Sequence, residues 1–287
     1  AEKQLGMPPI DYAFVAAGSL ARSEVQFLSD QDNCIITRQP IEKPSDKEYF
    51  EKLATIVTQD LDKCGYTLCE GNFMASNPRW CTSLSQWKEY YSSWIANTTE
   101  DAILSSSVFL DMRCLFGDKL LVKELREHLI TTADENRRFL ATLVSISLAV
   151  APPLGTFRQF VLTKDGDNKP YLNIKKQAIN LIIELARVYG IAAKTIATDT
   201  YDRLTAAMQA DLIKEDDFKE LKEAYTFLNH VRFKHQLHAI NHNLPLTNNL
   251  NPDDLTQFER NHLRDAFRII AKHQKAAQFR FAPGRGI

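Results

Sequence analysis

The sequence predicts an α+β protein, with a small mixed sheet flanked by helices over residues 1–132 and an all-α helical bundle over residues 133–287. Three observations carry that expectation. Short apolar runs of strand type lie near the N-terminus, segments of helical period alternate with them through the first half, and the second half is almost entirely helical in period.

Tyr12-Ala13-Phe14-Val15-Ala16-Ala17 is an apolar run suited to a buried strand, and Gly18-Ser19 ends it with a residue lacking a side chain and one carrying a hydroxyl. Ser29 to Thr37 reads as a second strand, on which residues two apart share a face, so Asp30 and Asp32 project together. Lys47 to Cys64 fits a helix, with Tyr49, Leu53, Ile56, Val57 and Leu61 at helical spacing and Gly65 just past its end. Tyr66 to Cys69 is a third strand. Trp80, Leu84, Trp87, Tyr91 and Trp94 then follow at steps of four and three, making one helix face that reads as core in preference to a base-stacking platform. Ser107 to Leu115 is the next strand, interrupted by Asp111, and Gly117-Asp118 turns the chain into a helix from Lys119 to Leu129.

The polar stretch from Thr131 to Arg138 marks the domain boundary. Beyond it, Ile174, Ala178, Leu181, Ile182, Leu185 and Val188 follow one helix face ended by Gly190, and Leu221, Tyr225 and Leu228 form another. Asn251-Pro252-Asp253-Asp254 has the cap, first-turn proline and acidic start of a helix carrying Leu255, Phe258, Leu263, Phe267 and Ile270. Lys214-Glu215-Asp216-Asp217 reads as a solvated face.

A net charge of −1 gives no global attraction to polyanions, which argues against nucleic acid and anionic membrane as default partners. The uncharged stretch over residues 139–157 carries Thr142, Ser145, Ser147 and Pro152-Pro153, which argues against a membrane span. Five cysteines, all between Cys34 and Cys114 and without Cys-x-x-Cys spacing, point to reduced thiols and a cytoplasmic setting. The N-terminus lacks the parts of a signal peptide, and the missing initiator methionine fits a processed product or a piece of something longer.

The chemistry concentrates where Gly18-Ser19 is followed, after ten intervening residues, by Asp30-Gln31-Asp32. Two carboxylates on one face repel unless a cation lies between them, and Mg²⁺ (or Mn²⁺) is held by one or two carboxylates together with triphosphate oxygens. Backbone N–H groups at Gly18 and Ser19 suit the distal phosphates of a nucleoside triphosphate. Asp111 is the natural third acid once this motif is present. Arg22 reads as a phosphate-binding or site-ordering residue, with an exposed Arg22–Glu24 pair as an equal alternative. Lys175 is a candidate to reach the triphosphate, against the plainer reading of a solvated helix lysine.

Gly18-Ser19-Leu20-Ala21-Arg22-Ser23-Glu24 through Asp30-Gln31-Asp32-Asn33 resembles the active-site signature of a family of bacterial nucleotidyltransferases related to PII-uridylyltransferase and, more distantly, to polymerase-β-type enzymes. Met74 to Pro78 with Trp80 and Trp87, and Phe109 to Arg113 with Gly117-Asp118, resemble its middle segment. Pro152 to Gly155, Ile174 to Lys176, Thr200 to Leu204 and Arg232 to Gln236 resemble its helical substrate-binding domain. Ala21 stands where relatives commonly have glycine, and Asn173 where aspartate is expected ahead of the lysine. The resemblance implies a nucleotidyltransferase fold, a protein acceptor by analogy with PII-uridylyltransferase, and upstream cyclic-nucleotide-binding and CBS regulatory domains.

The expected activity is transfer of a nucleoside monophosphate from a triphosphate, with metals held by Asp30, Asp32 and Asp111. The alternative is a non-catalytic module that binds nucleotide or a partner within a larger signalling protein. A third reading, a phosphohydrolase centre at His230, His235, His238 and His242, finds no His-Asp dipeptide or His-Glu-x-x-His to support it, and these histidines read as packing groups.

Overall fold

The structure is a computed structural model that describes residues 1–282 apart from 98, 156–158, 165, 167 and 168. The chain divides into two compact units, residues 1–139 with 196–199 and residues 140–195 with 200–287. In the first unit the elements are α1 (Glu2–Leu5), β1 (Tyr12–Ala17), α2 (Gly18–Ala21), β2 (Asp30–Gln31), β3 (Asn33–Thr37), α3 (Pro44–Lys63), β4 (Thr67–Leu68), β5 (Cys81–Ser83), α4 (Leu84–Ala96), α5 (Glu100–Phe109), β6 (Met112–Gly117) and α6 (Lys119–Glu135). Helix α7 (Arg137–Leu148) follows. The second unit continues with β7 (Thr163–Lys164), β8 (Pro170–Asn173), a π-helical turn (Lys175–Ile179), α8 (Asn180–Ala192), α9 (Thr200–Gln209), α10 (Glu215–Asn241), β9 (Asn249–Leu250) and α11 (Gln257–Phe281).

The main sheet has the order β5-β3-β1-β6. It is mixed: β1 lies antiparallel to both β3 and β6, while β3 and β5 run parallel. Every residue of β1 and β3 is buried, which fits the unbroken apolar run of β1 and the Cys34-Ile35-Ile36 centre of β3. The aromatic face is core, as the helical spacing suggests: Trp80, Trp87, Tyr91 and Trp94 are all buried, and the Trp80 and Trp87 rings stack at 5.8 Å.

Several boundaries differ from the expected ones, each for a local reason. Helix α3 starts at Pro44, because proline at a first-turn position needs no N–H partner. Trp80 ends a 3₁₀ turn, and strand β5 separates it from α4, whose cap is Ser83 accepting from Gln86 N. The segment 107–109 is helix: Thr99 caps α5 through Ala102 N, and Ser106 and Ser107 bond back to the carbonyls of Ile103 and Leu104. Strand β6 therefore begins after Asp111, which sits on the bend between them. The strand expected over residues 66–69 shrinks to β4, paired in parallel with β2.

The second unit is mainly helical, with a small three-stranded sheet of order β7-β8-β9 added to it. Gly190 lies inside α8 and does not end it; a Cβ there would come within 2.9 Å of Arg203 Cγ, so glycine allows α9 to pack close. Asn251 to Asp254 form a separate 3₁₀ turn, and α11 starts later, at the Thr256 capping box.

That box yields a prediction. Thr256 Oγ1 accepts from Glu259 N, Glu259 Oε2 accepts from Thr256 N at 2.9 Å, and Lys234 Nζ donates to Glu259 Oε1 at 2.6 Å. Led by the Lys234 hydrogen bond, these hold the Glu259 carboxyl down from 4.5 to about 2. A depressed carboxyl favours the fold above its unfolded value, and that contribution disappears as pH falls from about 4.5 toward 2. Glu259→Gln should cost about 0.5–2 kcal/mol at neutral pH and flatten this acid limb in urea unfolding measured across pH.

Candidate active site

The C-terminal end of β1, the β2–β3 segment and the bend before β6 meet at one end of the strands of the main sheet. Ala17 N donates to Asp32 O at 2.8 Å, and Gly18 N donates to Asp111 O at 3.1 Å, so β1 leads straight into both acidic segments. The strand expected through Asp30 to Thr37 breaks at Asp32, leaving β2 and β3 on either side. The alternation persists nonetheless. Gln31 and Asn33 are completely buried, whereas Asp30 and Asp32 are half-buried.

The inward pair anchors the outward one. Gln31 Nε2 donates to the carbonyls of Thr58 and Tyr66, each at 2.9 Å. Asn33 Nδ2 donates to Gln31 Oε1 at 3.0 Å, and Asn33 Oδ1 accepts from Ala75 N at 2.8 Å. This network fixes the backbone from which both aspartates project, and its members are buried amides with most of their polar atoms satisfied.

Asp30 and Asp32 come together with Cys69, one potential ligand atom from each lying within 4.8 Å of the others. The register of β2 against β4 explains the cysteine: Asp30 pairs with Thr67 and Gln31 with Leu68, so the next step brings Cys69 beside Asp32. Burial pushes the Cys69 thiol up to about 12, and the Asp32 and Asp30 charges push the same way, so the sulfur faces the carboxylates as a neutral thiol. Sequence reasoning missed Cys69. The signal lay in the short apolar run before Gly71, whose pairing partner no local pattern names.

Gly18 closes against this group. Its φ is +54°, and a Cβ added to it would lie 2.7 Å from Asp32 Oδ2. Gly18→Ala should therefore displace the Asp32 carboxylate as well as strain the turn. We expect it to weaken Mn²⁺ binding by about tenfold or more while costing only about 1–2 kcal/mol of stability, measured by metal titration beside urea unfolding.

Asp111 is fully buried and is not a member of the Asp30–Asp32–Cys69 group. Its carboxylate accepts from Arg22 Nη1, and Arg22 Nε donates to Glu24 at 2.6 Å. Arg22 is only 6 % exposed, so the exposed Arg22–Glu24 pair, one of the two alternatives the sequence leaves open, is not formed: the pair is interior and also carries Asp111. Ser19 follows Gly18 in the turn α2 and is half-buried. Lys175 lies in the second unit, half-buried at the start of the π-helical turn. Asn173 Oδ1 accepts from Lys176 N at 2.9 Å as the chain enters that turn. None of His230, His235, His238 and His242 joins a group of metal-ligating side chains among the described residues.

Two family profiles match the sequence. Residues 1–101 match the family described as "Putative nucleotidyltransferase DUF294", and residues 137–281, just over half of the chain, match "Putative nucleotidyltransferase substrate binding domain". The chain belongs to this nucleotidyltransferase family. The two matched regions give the family's order, a nucleotidyltransferase domain followed by its substrate-binding domain, and the acidic group and Gly18 both lie in the first of them. No curated protein matches the sequence. Among the described residues no helix is long and apolar enough to cross a membrane, and all five cysteines are free thiols.

Proposed function

We propose that this nucleotidyltransferase-family chain transfers a nucleoside monophosphate from a nucleoside triphosphate to an acceptor hydroxyl, with Mg²⁺ or Mn²⁺ held by Asp30 and Asp32. One observation carries the reading: two half-exposed carboxylates converge beside a glycine turn that leaves no room for a side chain. The donor set fits the ion, since hard carboxylate oxygens with open positions suit Mg²⁺ and Mn²⁺ bound together with a triphosphate. When bound, the metal supplies charge stabilisation at the reacting phosphorus and the departing pyrophosphate.

The chain's own residues divide the remaining work. Ser19, half-buried in the turn, is assigned to the distal phosphates through its backbone N–H and hydroxyl, and Gly18, whose own N–H is taken by the Asp111 carbonyl, leaves the space for their approach. Asp111, expected from the sequence as a third metal ligand, is here assigned to ordering the site: its carbonyl accepts from the Gly18 N–H and its carboxylate is paired with Arg22. Cys69 and the Gln31–Asn33 network hold the two aspartates in register. Lys175 is assigned to the triphosphate on the family likeness, and a protein acceptor and upstream regulatory domains rest on the same likeness.

The competing reading, a non-catalytic regulatory module, draws on the Asp111–Arg22 pair, which engages the third acid in a buried ion pair. One experiment tests both. The protein is incubated with labelled ATP, UTP, CTP or GTP and Mn²⁺ in cell extract, beside Asp30→Ala. Label on one macromolecule with the wild type alone supports transfer and identifies donor and acceptor together. Mn²⁺-dependent nucleotide binding without label or pyrophosphate supports the module, and equal labelling by both proteins removes Asp30 from the chemistry.

A further inference from the structure

A second convergence of ligating groups lies wholly within the second unit. Asp217 and Glu220 stand three residues apart on one face of α10, and His273 faces them from α11. His273 Nε2 is 3.8 Å from Asp217 Oδ1 and 3.8 Å from Glu220 Oε2, and one ligand atom from each of the three lies within 4.8 Å of the others. Between the two carboxylates sits Lys272 Nζ, 2.8 Å from each.

The imidazole carries the argument. His273 is only 2 % exposed, and its Nε2 has no hydrogen-bond partner. Leaving such an atom buried without a hydrogen bond costs about 1–3 kcal/mol, and at 3.8 Å the two carboxylate oxygens it faces are too far to supply one, so the gap between them suits an occupant. His235 Nε2 is likewise buried without a hydrogen bond, but His235 joins no group of ligating side chains. A cavity of about 420 Å³, lined by Tyr189, Lys214, Asp217, Lys272 and His273 among others, opens beside the group and gives an ion a route in and a place for water as a further ligand.

We propose that Asp217, Glu220 and His273 form a binding site for a divalent transition metal of the zinc type, with the Lys272 ammonium occupying the cation position when the metal is absent. Two carboxylate oxygens and an imidazole nitrogen select zinc-type ions over Mg²⁺ and Ca²⁺, which prefer oxygen alone. Bonds of about 2.0–2.1 Å to a tetrahedral ion place ligand atoms about 3.3 Å apart, so the two 3.8 Å separations from the imidazole close by about 0.5 Å and the two carboxylate oxygens, within 4.8 Å of each other, by up to about 1.5 Å as Lys272 leaves. The charges also match, because a dication neutralises both carboxylates where the ammonium offsets only one. Lys272 is 53 % exposed at its side chain and can swing into water when the metal enters. Bound metal would clamp α10 to α11 and retain an open coordination position toward the cavity.

The test is calorimetric titration of the chelator-stripped full chain with ZnCl₂, repeated on Glu220→Gln, His273→Gln and Lys272→Met, each also in an Asp32→Asn background that removes metal held by the first unit. Glu220→Gln and His273→Gln should each weaken one zinc site by at least about tenfold, the loss associated even with outer partners of a metal, and Lys272→Met should strengthen it. Co²⁺ bound in place of zinc should lose its visible absorption in His273→Gln. Glu220 is partly exposed, so its variant remains informative if the buried histidine variant fails to fold. Equal zinc affinity in the wild type, Glu220→Gln and Lys272→Met would overturn the proposal and reduce Lys272 to an ordinary surface ion pair.

Discussion

Asp32→Asn is expected to lower the proposed Mn²⁺-dependent nucleotidyl transfer by about a hundredfold or more, the scale on which removing one charge-stabilising group acts, with Asp30→Ala close behind. Both side chains are half-buried and neither anchors the core, so the loss should come without unfolding. A second readout distinguishes a ligand from a structural residue. In the metal-free protein the two carboxylates repel across less than 4.8 Å, so neutralising one should leave the melting temperature unchanged or raise it. Mn²⁺ should raise the melting temperature of the wild type through ligand linkage and fail to raise that of Asp32→Asn. A variant that melts lower than the wild type and still responds to Mn²⁺ would place Asp32 in the scaffold and not at the metal.

Arg22→Ala is the substitution expected to cost most stability, about 3–5 kcal/mol, the range measured when one partner of a buried ion pair is removed. Asp111 is fully buried and Arg22 only 6 % exposed, so removing the guanidinium takes from an interior carboxylate the cation that offsets its lost hydration. Glu24→Gln, at the more accessible end of the same network, should cost far less. Urea midpoints of the two variants give the comparison. A loss under about 1 kcal/mol for Arg22→Ala would show the pair behaving as an exposed salt bridge does.

Much of the site was legible because its signals are local. Gly18 followed by Ser19 after an apolar run, and the alternation through Asp30, Gln31, Asp32 and Asn33, survive the break in the strand, since the period of two depends on extended backbone and not on unbroken pairing. Asp111 was legible as a residue but not in its setting. The segment before it combines apolar side chains with serines that bond to their own helix, and a short apolar run does not by itself separate strand from helix. Cys69 and the His273 group were not legible at all, because each depends on a partner 37 or more residues away whose approach follows from strand register or helix packing.

The sequence by itself determined the mixed first half, the helical second half, the aromatic core face and the pair of acids that project together, since each follows from periodicity within one segment. Only the tertiary structure decided what those segments meet. It buried Arg22 against Asp111, set Cys69 beside Asp32, and returned residues 196–199 to the first unit, where Arg126 donates to Thr198 Oγ1 and to the Ala197 carbonyl, both at 2.6 Å. The physical reason is that periodicity fixes which face of an element points inward, whereas the identity of the neighbour depends on long-range closure that leaves no trace in local spacing.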